Sequence, residues 1–389
     1  MRVLYFTESL YPHVDGVSRT LARLFAALPQ RGVDFRVVSP FIPGSEVPWA
    51  DRVVGVSWIA FPLYRDYRVS LPGGRRVRRL WDAFRPDLVH LVSPTPMAWW
   101  AKRRARRRGV PVVASFHTHF IAYLPYYRLR PLERLGWPVL RAFYRGCARV
   151  YAPSPSLVRE LRAHGVERVG RWSRGIDAAL FHPARRDPAL RATLGVSDTQ
   201  PLVLYVGRLV REKDIGDVVA TARALRARGV AFRLAFVGEG PCRAELERAL
   251  PDAIFAGYRH GEELARWFAS ADVFFFPSTT ETFGNVVLEA MASGLPAVVS
   301  DRGGPADLVI DGRTGFVVPA HDVVGFGDRL AALLTDAGLR QRMGTAARQR
   351  AEGFEWGVVH DRLVASYRAV VRWAQRAPVP MRALAAWRA

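Results

Sequence analysis

Apolar residues along the chain fall into short continuous runs separated by amphipathic stretches. This is the pattern of buried parallel strands alternating with helices. In the first half, Val3–Thr7, Phe35–Ser39, Leu88–Val92, Val112–Ser115 and Val150–Ala152 read as strands bounded by Pro, Gly and charge. Val17, Leu21, Leu24, Phe25 and Leu28 recur at helical spacing and predict a helix over Gly16–Leu28. Residues 182–201 are rich in Pro and charge and read as an interdomain segment. The alternation then restarts, with strands at Leu202–Val206, Arg233–Val237, Ala253–Phe255, Val273–Phe276, Ala297–Ser300 and Phe316–Val318. Helices are expected at Asp214–Arg228, Arg243–Ala249, His260–Ala269 and Asn285–Ser293, and near 323–335 and 338–352. A long helix, Val358–Trp373, precedes a Pro-rich basic tail. The expected fold class is α/β, with two doubly wound domains at 1–181 and 182–357. Each sheet offers a crevice at its carboxyl ends, and a cleft between the domains is the expected pocket.

A chain of 389 residues, half of them apolar, has material for two packed cores. No apolar run reaches the roughly 20 residues that span a bilayer. Met1–Phe6 reads as a buried strand rather than a leader. The lone cysteines Cys147 and Cys242 lack metal spacing and fit a reducing cytoplasm. The net charge of +22 is concentrated in residues 1–180, where 30 Lys and Arg oppose 12 Asp and Glu. That half carries +18 and the remainder +4. Two readings stay open: an anionic partner surface, or an arginine-rich composition spread over solvated faces. Of the 57 basic residues, Lys102 and Lys213 alone are lysine, and Asn285 is the sole asparagine. Lys213 and Asn285 lie inside the motifs below, whereas nothing distinguishes Lys102 within its Arg run.

The strongest constellation runs from Pro277 to Pro296, with Glu281, Phe283, Gly284, Asn285, Val286 and Glu289. It follows a buried strand, turns at Gly284 and opens a helix whose N-terminal N–H groups can hold a diphosphate. Glu281 and Glu289 can accept hydrogen bonds from sugar hydroxyls and from a ribose diol. Arg208 and Lys213 follow the strand 202–206 and suit a pyrophosphate leaving group. A salt-bridge cluster with Glu212 and Asp214 is the alternative role for that pair. Gly16 and Val17 open the first helix, and Gly16 would let backbone approach phosphate or sugar. A full G-x-G-x-x-G is absent, which disfavours a dinucleotide enzyme. His117 follows a strand and reads as a donor to sugar, while His119 reads as structural. Gly238 and Tyr258 end two further strands and either frame a base or form ordinary turns. No carboxylate or Cys cluster completes a metal site, so neither metal nor cofactor is expected.

Taken together, Gly16, His117, Arg208 with Lys213, and Glu281-x7-Glu289 resemble the family 4 retaining glycosyltransferases over residues 1–373. The segments Thr7–Val17 and Trp172–Asp177 are most similar to bacterial GDP-mannose-dependent α-mannosyltransferases and sulfoquinovosyl-lipid synthases. The resemblance implies two facing Rossmann-like domains of the glycosyltransferase B-type fold. It implies donor binding by the second domain, acceptor binding by the first, and a C-terminal helix (about 358–389) returning to the first. It places the transferred sugar at Glu281, the ribose at Glu289 and the diphosphate at Arg208 and Lys213. Backbone groups of Phe283, Gly284, Asn285 and Val286 would meet sugar and phosphates. Asp15 departs from the Gly-Gly or Asn-Gly of many relatives. The expected partners are a nucleotide diphosphate sugar and a lipid or glycan acceptor, with an anionic membrane surface docking Arg75–Trp81, Lys102–Arg108 and Tyr126–Tyr144. The expected location is the cytoplasm, peripheral on the inner face of the membrane. Three rivals compete: a UDP-sugar-dependent enzyme, an epimerase or hydrolase sharing the fold, and a basic nucleic-acid binder, for which no binding motif is seen.

Overall fold

The computed structural model describes residues 1–61, 64–117, 121, 133–197 and 199–376. His119, part of the 126–144 stretch and the basic tail after Arg376 lie outside them. Of the described residues, those up to Ile121, from 133 to Ser173 and from Gly357 onward form one compact unit, and Arg174–Trp356 form a second.

The first unit contains β1 (Arg2–Phe6), β2 (Asp34–Ser39), β3 (Val53–Gly55), β4 (Trp58–Phe61), β5 (Tyr64–Ser70), β6 (Leu88–Leu91), β7 (Val112–Ser115), β8 (Arg149–Ala152) and β9 (Val169–Arg171). A parallel sheet runs in the order β3-β2-β1-β6-β7-β8-β9, and β4–β5 form a separate antiparallel pair. Val3, Leu4, Tyr5 and Phe6 are buried on both faces, as a central parallel strand requires. The strand order reverses between β1 and β6, so the loops after these two strands flank the switch point. Helix Gly16–Ala27 buries Leu21, Leu24 and Phe25 against the sheet.

The basic stretches are helices. In Arg75–Phe84, Val77, Trp81 and Phe84 face inward and the arginines point to solvent. In Pro96–Arg107, Arg104 reaches Asp82 at 3.1 Å, and Arg108 just beyond the helix reaches it at 2.9 Å. Lys102 serves the fold. Its ammonium donates to the carbonyls of Ala142, Phe143 and Arg145 at the end of helix Glu133–Tyr144. A compact ammonium with three donors suits such a convergent set of carbonyls better than a planar guanidinium.

Helix Trp356–Arg376 places Val359, Leu363, Val364, Tyr367 and Val370 in the first unit's core. A buried polar chain secures it. His90 on β6 bridges Tyr367 Oη through Nδ1 and Ser115 Oγ through Nε2, both at 2.5 Å, and Tyr5 Oη donates to Tyr367 Oη at 3.3 Å. Burial pushes the His90 imidazole down to about 3, so it stays neutral at physiological pH.

The second unit contains β10 (Leu202–Val206), β11 (Arg233–Val237), β12 (Ile254–Gly257), β13 (Val273–Phe276), β14 (Ala297–Ser300) and β15 (Gly315–Val318). They form a parallel sheet in the order β12-β11-β10-β13-β14-β15, with its switch point between β10 and β13. The chain enters this unit earlier than the Pro-rich stretch predicts, because Ile176 and Phe181 are buried in its core. Residues 182–201 are not a loose connector. Helix Pro188–Thr193 docks through Arg191, which is 2% exposed and bonds Asp272 and the Ser270 carbonyl at 2.9 Å each. Among the described residues, no helix is long and apolar enough to cross a membrane.

Candidate active site

Ligands of doubly wound sheets sit beyond the carboxyl ends of the strands where the order reverses. In the second unit these are the loops after β10 and β13, which carry Arg208, Lys213 and Glu281. The two loops are laced together. Asp214 is held in a left-handed conformation (φ 53°), and its Oδ2 accepts from both the backbone N–H and the hydroxyl of Thr279, at 2.8 Å each. Thr280 Oγ1 donates to the Glu212 carbonyl at 2.7 Å. Across this seam, Lys213 Nζ lies 2.7 Å from Glu281 Oε1, with the side chains 10% and 27% exposed. Arg208 pairs with Glu212 at 3.1 Å and keeps about half of its side chain in solvent. The salt-bridge alternative is therefore realised for Arg208, while Lys213 reaches across to the other loop. Burial first, then the carboxylates of Glu281, Asp214 and Glu212, push the Tyr205 phenol well above its ordinary range.

The loop carrying Glu281 ends on helix Asn285–Ala292. Its N-cap, Gly284, has φ 92° and offers no side chain to the helix end. The N-cap residue itself therefore supplies no side chain to the first N–H groups at the dipole's positive end. Asn285 and Val286 are half-buried there, and Phe283 anchors the turn in the core, its ring edge-on to Phe354. Glu289, on the same helix, is half-buried. Beneath the loop, Gly304 N–H donates to the Glu281 carbonyl at 2.8 Å. A Cβ on Gly304 would stand 2.3 Å from Phe283 Cα. Gly238 follows β11 and donates to the Gly257 carbonyl, while Tyr258 is exposed and stacks on His260.

In the first unit, Gly16 and Val17 begin a helix of a different kind. Asp15 caps it: Oδ1 accepts from Val17 N–H and Ser18 N–H at 2.7 Å each, and the Ser18 hydroxyl accepts from Asp15 N–H. The Val17 N–H is thus committed to a side-chain carboxylate, and an anion would have to displace Asp15 to use it. Burial alone would raise the Asp15 carboxyl, but hydrogen bonds from His13, Ser9 and Ser18 N–H outweigh it and hold it below its usual range. His117 is buried, edge-on to Trp172 at 5.0 Å. It lines a cavity of about 10 Å³, room for about one water, with Ser93, Ser115 and Tyr144.

Sequence spacing offered Asp214 only as a salt-bridge partner and did not reveal its bonds to Thr279, the Thr280–Glu212 bond that also joins the loops, or Gly303–Gly304, which support Glu281. The Gly-Gly-Pro after strand 297–300 is a signal that could have flagged the second group.

The comparisons agree with this architecture. Residues 14–180 match the family described as Glycosyltransferase Family 4, and residues 187–350 match Glycosyl transferases group 1. A GDP-mannose-dependent alpha-mannosyltransferase of Mycobacterium tuberculosis is 38% identical over 376 residues, covering 95% of this chain and 97% of the relative. The sulfoquinovosyl transferase SQD2 of Arabidopsis thaliana is 33% identical over 91% of this chain and 71% of its own length. Among solved structures, Anabaena HepE in complex with UDP-glucose superposes with a TM-score of 0.72 at 19% identity, covering 95% of this chain and all of that one. With two Rossmann-like α/β units of the B-type fold and this degree of identity over nearly its whole length, the chain belongs to the family 4 glycosyltransferases, and it is a nucleotide-sugar-dependent transferase.

Proposed function

We propose that the chain moves mannose from GDP-mannose to a hydroxyl of a lipid or glycolipid, with retention of anomeric configuration. The observation that carries this reading is the Lys213–Glu281 pair beside the side-chain-free helix start at Gly284. A cation and a helix N-terminus suit a departing diphosphate, and the carboxylate beside them suits a sugar hydroxyl. In the reaction, the bond from the anomeric carbon to the diphosphate oxygen breaks as the acceptor oxygen bonds to that carbon from the same face. The acceptor proton passes to the departing phosphate oxygen. Lys213, Arg208 and the N–H groups at 284–286 stabilise the leaving charge, and Glu281 orients the sugar. Glu289 takes the ribose, while Gly238 and Tyr258 frame the base. The first unit takes the acceptor, and His117 contacts the sugar. Gly16 approaches the donor through backbone, and Val17 does so only with Asp15 displaced. Cationic side chains serve where a metal would otherwise act, so transfer should survive EDTA.

The relatives' names support GDP-mannose as the donor. The SQD2 name favours a second reading with a sulfoquinovosyl donor, which we extend to a UDP-linked glucosyl or sulfoquinovosyl donor and a diacylglycerol or polysaccharide-precursor acceptor. Thermal-shift titration with GDP-mannose, UDP-glucose and ADP-glucose separates the two, since a bound donor raises the melting temperature by mass action. Radiolabelled transfer with NMR of the product then tests retention, and an inverted product rejects the mechanism. The outward arginines of helices Arg75–Phe84 and Pro96–Arg107, with Trp99 40% exposed, support docking on anionic lipid at the inner face of the membrane. Failure to sediment with phosphatidylglycerol vesicles at low salt would reject that docking.

A further inference from the structure

Glu8 follows β1 directly and lies at the switch point of the first sheet. It is 2% exposed. Its Oε1 accepts from Thr95 Oγ1 at 2.7 Å, across the reversal between β1 and β6. Thr95 in turn caps helix Pro96–Arg107 by accepting from Ala98 N–H, which aims its hydroxyl proton at Glu8. Ser70, at the end of β5, turns its hydroxyl toward the same carboxyl. Oε2 is buried and, among the described residues, forms no hydrogen bond of ordinary geometry. A buried carboxylate oxygen left in this way is costly and calls for a role.

We propose that Glu8 is a positioning residue that ties the loops after β1, β5 and β6 into one acceptor-binding edge and so sets the affinity for a hydroxyl-bearing acceptor. The proposal rests on the reading of the first unit as the acceptor-binding one. The groups that face Glu8 fix its sign. From β5, Tyr67 lies close enough to be affected by its charge, and Tyr67 also feels Asp15 at the start of helix Gly16–Ala27, where His13 pairs with that carboxylate. From the β6 side come the neutral hydroxyls of Ser93, which bonds Tyr67, and Thr95. Burial pushes the Glu8 carboxyl up to about 7, against weaker opposition from Thr95 and Ser70. Below that pH the acid is neutral and its Oε2–H is a donor. Above it, a buried negative charge faces Tyr67, and the edge loosens.

The test compares the full-length protein with its Glu8→Gln variant, whose amide mimics the neutral acid. GDP-mannose is the donor and octyl α-D-mannopyranoside the probe acceptor. The wild-type acceptor KM should rise about tenfold through pH 7 as the buried charge strains the edge, with the donor KM flat. The Gln variant should keep the low-pH acceptor KM throughout. If the Gln variant keeps the wild-type slope, the positioning role of Glu8 is overturned and the acceptor reading of the first unit stands. If the Glu8-dependent slope appears in the donor KM instead, the acceptor reading itself falls. A readout free of substrate accompanies this. The raised carboxyl stabilises the fold below pH 4.5, and that contribution is lost as pH rises toward about 7. The melting temperature of wild type should therefore fall relative to Glu8→Gln across that window, and parallel curves would overturn the proposal whatever the acceptor.

Discussion

Replacing Lys213 separates two roles that one 2.7 Å contact combines. Unit charges roughly 3–4 Å apart at an effective dielectric of about 20 attract by about 4–5 kcal/mol. Desolvation cancels most of that, and with Glu281 27% exposed the net worth of the pair is about 1–2 kcal/mol. Lys213→Met should lower the unfolding free energy by about 1–3 kcal/mol, the upper part reflecting a carboxylate that has lost this partner. The rate effect has a different origin. Losing one preorganised charge at a departing oxyanion costs about 10²–10³ in kcat, or about 3–4 kcal/mol. The assay is a double-mutant cycle of Lys213→Met and Glu281→Gln, read by urea unfolding and by single-turnover transfer from GDP-mannose. In stability the two should couple by about 1–2 kcal/mol. In rate the double variant should be little worse than the poorer single variant, because the residues act as a unit. A Lys213→Met enzyme that loses stability yet transfers within threefold of wild type would reduce the pair to a strap between loops and refute its role at the diphosphate.

Other outcomes follow from the same geometry. Arg208→Ala removes a half-exposed pair with Glu212, so stability should change by under about 0.5 kcal/mol while kcat falls at least tenfold; a matched loss of both in unfolding and turnover assays would contradict this. Gly304→Ala sets a Cβ against the Phe283 backbone, which should cost about 1–3 kcal/mol and raise the donor KM through displacement of Glu281. Tyr367→Phe strips a partner from buried His90 and should lower the urea midpoint by the equivalent of about 1–3 kcal/mol. Because the folded His90 is depressed to about 3, its contribution is present above pH 6.5 and lost as pH falls toward 3. His90→Phe should therefore flatten acid unfolding in that window.

What the sequence made legible follows from which signals are local. The buried strands could be read because a parallel strand covered on both faces must be apolar at every position, as in Val3–Phe6 and Phe274–Phe276. Helix Arg75–Phe84 escaped because its inward stripe is three residues, Val77, Trp81 and Phe84, inside a run of arginines. The strand pair β4–β5 and the short β3 present no run long enough to stand out. The loop residues Arg208, Lys213 and Glu281 could be found because each follows an apolar run. The contacts that place them could not, since Asp214 and Thr279 are 65 positions apart and meet only through the order of strands in the sheet. Residue rarity proved an uneven guide. It pointed to Lys213, which spans the two loops of the switch point, but Lys102 is equally rare and caps a helix end. Both sites need a compact cation with several donors among oxygen acceptors, so an arginine-rich chain keeps lysine for its geometry, whether the oxygens are carbonyls of its own backbone or a carboxylate. Distinguishing the two takes the surroundings. Lys102 meets carbonyls that every helix end must satisfy, whereas Lys213 holds a carboxylate beside a helix start whose N-cap glycine offers no side chain. That second combination sets a cation, a carboxylate and the positive end of a helix dipole at one switch point, the groups a departing diphosphate and its sugar would use.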